Sequence, residues 1–91
     1  MPNTSAEEGR LPSMARLSSF IVERFAPVGD RGLNDTTSLV KSGWLDSFAV
    51  VELVAFIERE FQVVLKNEDI TPANFETLEA MRRLLDRAVP R

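Results

Sequence analysis

The chain has 91 residues, 44% of them hydrophobic and 27% charged, which suits one small globular domain. It contains no cysteine and no histidine, which excludes a disulfide framework, a thiolate zinc site, a thiol nucleophile and the commonest general base. The sequence contains no apolar signal-peptide core and no run near the roughly 20 apolar residues of a membrane span, so we expect a cytoplasmic protein.

The net charge of -3 is unevenly distributed along the chain. Residues 46–76 contain seven acidic residues against two basic ones, whereas residues 77–91 contain two acidic residues and four arginines. An acidic central segment is a poor match for nucleic acid. It favours a basic patch on a partner protein, because complementary charge speeds the encounter of two proteins and orients them.

The first ten residues are polar and aperiodic, and we expect residues 1–10 to form a flexible leader and residues 11–89 to form the folded domain. The first helix is predicted to begin at Leu11, with Pro12 or Ser13 in its opening turn, and to end near the following Ala-Pro pair. Its apolar residues recur at steps of three and four, and they are Met14, Leu17, Phe20, Ile21 and Phe25.

A long loop is predicted over residues 27–45, which are rich in glycine, proline and small polar residues. Leu39, Val40 and Leu45 should anchor this loop to the core, and Trp44 is either a further anchor or an exposed residue. Loops of this length in compact domains are often functional.

The second helix is predicted over residues 47–62, with Asp46 as its N-cap. Helical periodicity puts a core stripe on one side, formed by Val50, Leu53, Val54, Ile57 and Phe61. The opposite side carries Phe48, Val51, Glu52, Ala55 and Arg59. This apolar patch edged by charge is either a docking surface for a partner or a surface covered by the long loop. Glu58 and Glu60 are expected to be solvated.

The remaining segment is predicted to contain two further helices. Residues 63–65 are expected to form an isolated extended link, and a short helical turn should follow Thr71, an N-cap that precedes a proline. The last helix is predicted to begin after its N-cap Thr77 and to end before Pro90. The fold class that follows is all-α, a small four-helix bundle with three main helices, one short helix and a long first loop.

Ser47 stands at the start of the second helix, directly after Asp46. The first N–H groups of a helix have no partner inside it and lie at the positive end of the macrodipole, so a phosphate ester on Ser47 would lie in a favourable field. A serine at a helix start is also often a purely local hydrogen-bonding residue, and that alternative stays open at this point.

A resemblance to a known family covers residues 14–85, and it is carried by the first helix, the long loop and five short motifs. They are Ser42-Gly43-Trp44-Leu45, Asp46-Ser47, Val51-Glu52-Leu53, Glu58-Arg59-Glu60-Phe61 and Phe75-Glu76-Thr77-Leu78. Together they resemble the acyl carrier protein family, in particular its D-alanyl and aminoacyl carriers. The resemblance implies that Ser47 carries a covalent 4′-phosphopantetheine derived from coenzyme A, with Asp46 as its flanking acid.

The resemblance further implies a carrier, and because the ionisable side chains offer no evident convergent pair, we expect no enzymatic activity and no catalytic or metal-binding residues. Such a carrier tethers an acyl or aminoacyl group as a thioester and delivers it to partner enzymes. The expected partners are a phosphopantetheinyl transferase, an acyl- or aminoacyl-activating ligase, and a downstream acyltransferase or synthase. The residues expected to contact them are Asp46, Phe48, Val51, Glu52, Ala55 and Arg59. We expect a monomer, and the sequence does not mark the cargo.

Three departures from the family pattern refine this interpretation. Phe48 stands where carriers of fatty-acid synthesis usually have leucine or methionine, and Ala49 and Arg59 stand at places that are often acidic there. The paired glycines that precede the serine in many peptidyl carriers are absent, which favours a stand-alone carrier. The main rival is an unmodified helical adaptor in which Ser47 is only structural. In that adaptor a partner helix is received by Phe48, Val51 and Ala55.

Overall fold

The computed structural model describes residues 6–27 and 32–91, and this part of the chain forms four α-helices and one two-stranded sheet. The helices are α1 Ala6–Phe25, α2 Ser47–Phe61, α3 Pro72–Phe75 and α4 Leu78–Arg87, the strands are β1 Val63–Val64 and β2 Val89–Pro90, and a 3-10 turn spans Asn67–Asp69. The prediction of a small all-α bundle with three main helices and one short helix is confirmed, with the small sheet as an addition.

Helix α1 starts earlier than the sequence signals indicated. It begins at Ala6 instead of Leu11, so Pro12 lies inside the helix and not in its opening turn. Alanine and glutamate, which occupy residues 6–8, are strong helix formers, and their propensity extends the helix ahead of the proline. Residues 1–5 of the expected leader lie outside the described residues, and the division into leader and domain stays a prediction.

The hydrophobic core forms where the apolar stripes of α1, α2 and α4 meet. Its fully buried large side chains are Leu17, Ile21, Leu39, Leu53, Ile57, Phe75, Met81 and Leu84. The rest of the predicted α2 stripe, Val50, Val54 and Phe61, is partly buried against this cluster. Because each such side chain contributes about 1.5–3 kcal/mol when it is fully buried, this cluster is the main stabilising feature of the fold.

The described part of the long loop is anchored to the hydrophobic core, as predicted. Leu39 is fully buried, and its N–H donates to the carbonyl oxygen of Glu76 at 2.8 Å. Leu45 is also buried, and its N–H donates back to the Leu39 carbonyl at 3.0 Å. Trp44 is buried too, so it anchors the loop. The chain therefore reaches α2 along a path that packing and hydrogen bonds define.

The extended link after α2 is not isolated, and that prediction is wrong. Strand β1 pairs antiparallel with β2, with Val64 opposite Val89 and Val63 opposite Pro90. A proline is tolerated here because a two-stranded sheet has only edge strands. The two strands are separated in sequence by α3 and α4, so a short apolar run alone could not reveal its partner.

Candidate functional site

Ser47 is the first residue of α2, and its side chain is exposed. The preceding Asp46 has extended backbone angles and caps the helix as predicted, because its Oδ1 accepts the N–H of Ala49 at 2.8 Å. The carbonyl oxygen of Asp46 accepts the N–H of Val50 at 3.0 Å. The cap fixes the direction in which the first turn leaves the loop, and with it the position of Ser47.

Two backbone donors remain unused at this helix start. In the described part of the chain, neither Ser47 N–H nor Phe48 N–H has a protein acceptor, since the cap accounts for Ala49 and Val50. These N–H groups point out of the first turn at the positive end of the helix dipole. A phosphate ester on the Ser47 hydroxyl would therefore lie next to donors that no protein group occupies.

The turn before Ser47 depends on one glycine. Gly43 has a φ of 90°, a left-handed conformation that side chains other than glycine rarely adopt, and its N–H donates to the Val40 carbonyl at 3.1 Å. The hydroxyl of Ser42 donates to the Ser38 carbonyl and closes the same turn. The segment ahead of the serine is thus held by local hydrogen bonds as well as by buried side chains.

An apolar groove opens directly beside Ser47. It has a volume of about 440 Å³, and its surface is mainly apolar. The lining residues are Val40, Leu45, Asp46, Ser47, Val50, Val51, Ile70, Thr71 and Pro72. The last three come from the start of α3 and the two residues before it, and no local pattern in the sequence associated them with Ser47.

The predicted outward face of α2 is open to solvent. Phe48 is 75% exposed and Val51 is 65% exposed, and Ala55 and Arg59 are exposed as well. The alternative in which the long loop covers Phe48 and Val51 is therefore wrong. Glu52 differs from the other four, because it is half-buried and its carboxylate accepts a hydrogen bond from Arg24 of α1.

Two glutamates of α2 that were expected to be solvated instead contact other elements of the fold. Glu58 Oε2 accepts the backbone N–H of Leu65 at 2.9 Å, just after β1. Glu60 Oε2 accepts the Ser13 hydroxyl at 3.0 Å and also pairs with Arg16, both on α1. Their partners are remote in sequence, so charge periodicity along α2 could not identify these contacts.

Two negative findings concern the described residues only. Among the side chains that the structure describes, those of residues 12–27 and 32–91, no three histidine, cysteine or acidic residues come together in a way that could hold a metal ion. In the same part of the chain, no helix has the length and apolar character needed to cross a membrane.

Comparison with known proteins adds independent information about the segment that contains this site. Residues 20–85 match the family described as "Phosphopantetheine attachment site". The chain is 33% identical over 73 residues to "Probable acyl carrier protein PigG" from Serratia sp., an alignment that covers 80% of this chain and 84% of that relative. It is also 42% identical over 41 residues to "Aminoacyl carrier protein 2" from Bradyrhizobium diazoefficiens, which covers 45% of this chain and 46% of that relative. The matched family segment includes the whole of α2 and the exposed serine at its start.

Proposed function

The chain belongs to the phosphopantetheine attachment site family, whose members carry a covalently attached 4′-phosphopantetheine, and we propose that Ser47 is the attachment residue. The observation that carries this proposal is the exposed hydroxyl on the first residue of α2, next to two unused backbone donors. The two serines near the start of α2 differ, because the Ser42 hydroxyl donates a hydrogen bond inside the loop, whereas Ser47 is exposed to solvent.

The chemistry requires little of this chain beyond access and position. The Ser47 Oγ attacks the pantetheine-bearing phosphorus of coenzyme A, a new P–O bond forms, and the adenosine bisphosphate leaves with the electrons of the broken bond. The proton of the hydroxyl passes to a base of the transferase, because this chain has no histidine to accept it. Asp46 contributes by fixing the helix start, because its Oδ1 accepts the N–H of Ala49.

When attached, the arm supplies a thiol that a chain without cysteine lacks, and it thereby allows an acyl group to be held as a thioester. The apolar groove beside Ser47 offers a surface for the apolar part of the arm or of a short cargo. Because the two relatives are named as acyl and aminoacyl carriers, we extend the proposal to a stand-alone acyl or aminoacyl carrier.

The proposed carrier works in the cytoplasm as a monomer and meets three kinds of enzyme in turn. A phosphopantetheinyl transferase attaches the arm, an acyl- or aminoacyl-activating ligase loads it, and an acyltransferase or synthase takes the cargo away. The surface offered to these enzymes is the start and outward face of α2, formed by Asp46, Phe48, Val51, Glu52, Ala55 and Arg59. A tethered cargo has a raised effective concentration at each enzyme for as long as the carrier is docked.

Intact-mass measurement tests the attachment residue directly. The wild type, Ser47→Ala and the control Ser19→Ala are incubated with coenzyme A and a broad-specificity phosphopantetheinyl transferase. Ser19 is an exposed serine in the middle of α1, far from a helix start. We expect one added phosphopantetheine on the wild type and on Ser19→Ala, and none on Ser47→Ala. A wild type that gains no mass would refute the proposal and favour the unmodified adaptor.

A further inference from the structure

A second groove opens at the start of α2, on the opposite side of the helix from the apolar groove and against the end of α1. It has a volume of about 430 Å³, and its surface is more polar than apolar. Its walls contain three aromatic side chains, two carboxylates and one guanidinium, which are Phe25, Trp44, Phe48, Asp46, Glu52 and Arg24. The attachment residue therefore lies between two surfaces of different chemistry.

Each of the two carboxylates in this groove has one oxygen that is not used by the fold. Oδ1 of Asp46 accepts the Ala49 N–H, and Oε2 of Glu52 accepts a hydrogen bond from Arg24. Among the side chains and backbone groups that the structure describes, none donates to Asp46 Oδ2 or to Glu52 Oε1. The Arg24 guanidinium is itself occupied, since it pairs with Glu52 and lies 5.8 Å from the centre of the Phe20 ring. Negative charge is thus in excess in the groove, and its unused groups are hydrogen-bond acceptors.

Aromatic rings beside unused carboxylate oxygens suit an ammonium ion. The face of an aromatic ring attracts a cation, and the N–H groups of an ammonium ion donate charge-assisted hydrogen bonds to carboxylates. An uncharged acyl chain gains nothing from the carboxylates, and it would be better placed in the apolar groove. The second groove therefore selects for a cargo that carries a positive charge.

We propose that this groove binds the α-ammonium group of an aminoacyl cargo carried by the arm. The inference rests on the proposed carrier function, and it narrows the cargo from an acyl or aminoacyl group to an aminoacyl group. Asp46 and Phe48 are the chain neighbours of Ser47, so the groove begins beside the attachment residue and a flexible arm can fold back into it. Because the cargo is tethered, its effective concentration at the groove is on the order of millimolar, and a weak ionic contact is enough to hold it there.

Two matched synthetic cargoes test the groove. A broad-specificity phosphopantetheinyl transferase loads the full chain from coenzyme A analogues that carry alanine or lactic acid, with an N–H group in place of the thioester sulfur so that the cargo is stable. The two cargoes differ only in having an ammonium or a hydroxyl group. Intact mass verifies loading. The ¹H–¹⁵N resonance of the Trp44 indole N–H reports the groove, because the chain has a single tryptophan.

We expect the alanyl cargo to shift the Trp44 resonance away from its position in the lactyl chain. Glu52→Gln retains an acceptor for Arg24 and Asp46→Asn retains the cap, yet each removes one negative charge from the groove. Each should therefore reduce the difference between the cargoes about two- to fivefold, which is the size of an ionic contact at an exposed site. Glu68→Gln removes an equal charge outside the groove and should leave the difference unchanged.

Equal Trp44 resonances for the two cargoes in the loaded wild type would overturn the inference. It would also be overturned if Glu52→Gln and Asp46→Asn had no effect, or if Glu68→Gln had the same effect as they do. Shifts at Val40 and Ile70 for both cargoes, without a difference at Trp44, would assign the cargo to the apolar groove instead. A wild type that gains no mass from coenzyme A refutes the carrier function itself, so the two failures are distinguishable.

Discussion

Replacing Asp46 by alanine should destabilise the fold, because the variant loses one capping hydrogen bond and the attraction between the carboxylate and the helix dipole. In the wild type, the Asp46 carboxylate accepts the N–H of Ala49, and Ala49 is only 5% exposed. The alanine variant leaves this N–H without its protein acceptor. Substituting alanine at an N-cap costs about 0.5–2 kcal/mol, and we expect a loss of about 1–2 kcal/mol here.

Asparagine at the same position separates the contribution of the capping hydrogen bond to stability from that of the negative charge. Its side-chain oxygen can accept the Ala49 N–H as aspartate does, and asparagine is an equally good N-cap. Asp46→Asn loses only the attraction between the carboxylate and the helix dipole, which is worth about 0.3–1 kcal/mol. The expected order of stability is wild type, then Asp46→Asn, then Asp46→Ala.

Urea unfolding measures this order, with the fluorescence of Trp44 as the reporter because that side chain is buried in the folded state. Far-UV circular dichroism should give the same midpoint if unfolding is two-state. In a thermal scan, each kcal/mol lost from the free energy of unfolding should lower the midpoint temperature by about 4–8 °C. The control is Glu68→Ala, which removes an exposed acid elsewhere and should change the free energy of unfolding by less than about 0.5 kcal/mol. The reasoning fails if Asp46→Ala is as stable as the wild type, or if Asp46→Asn loses as much as Asp46→Ala.

Three further substitutions test other parts of the site. Phe48→Ala should leave the free energy of unfolding within about 0.5 kcal/mol of the wild type, since Phe48 is exposed. The same variant should slow acylation by the loading ligase about tenfold. An unchanged rate would mean that this ring does not contact that ligase. Glu58→Ala should cost about 1–2 kcal/mol in urea unfolding, because it removes the acceptor of the Leu65 N–H, and a neutral result would show that water replaces it. Gly43→Ala should cost about 1 kcal/mol in the same assay through its left-handed backbone alone, since no atom beyond the two neighbouring residues lies within 4 Å of the added carbon. A loss several times larger would reveal a clash instead.

The features that the sequence predicted well are those encoded within a few residues. The caps are examples, because Thr71 accepts the N–H of Asn74 at 3.4 Å and Thr77 accepts the N–H of Ala80 at 3.0 Å, as their positions before α3 and α4 predicted. A cap needs only a polar side chain and the helix that follows it. Asp46 obeys the same rule, which is why the helix start at Ser47 was predictable.

The features that the sequence did not predict depend on contacts between distant segments. The pairing of β1 with β2 joins Val64 to Val89 across two intervening helices. The pairing of Glu52 with Arg24 joins α2 to α1 across the long loop. Neither partner follows from local periodicity, which predicts the face of a residue but not the element packed against it.

The exposure of Ser47 follows from a change of burial along five consecutive residues. Leu45 is 2% exposed and Ala49 is 5% exposed, while the three residues between them are exposed. The two buried residues fix the chain on either side of the serine, and the Asp46 cap fixes the direction in which the first turn of α2 leaves the loop. With the arm on Ser47, as we propose, a base fixed in this way would let the cargo move only through the arm and through the domain as a whole. Substitutions at Leu45 or Ala49 should therefore disturb attachment by displacing Ser47, whereas substitutions at Phe48 should disturb only the docking that follows.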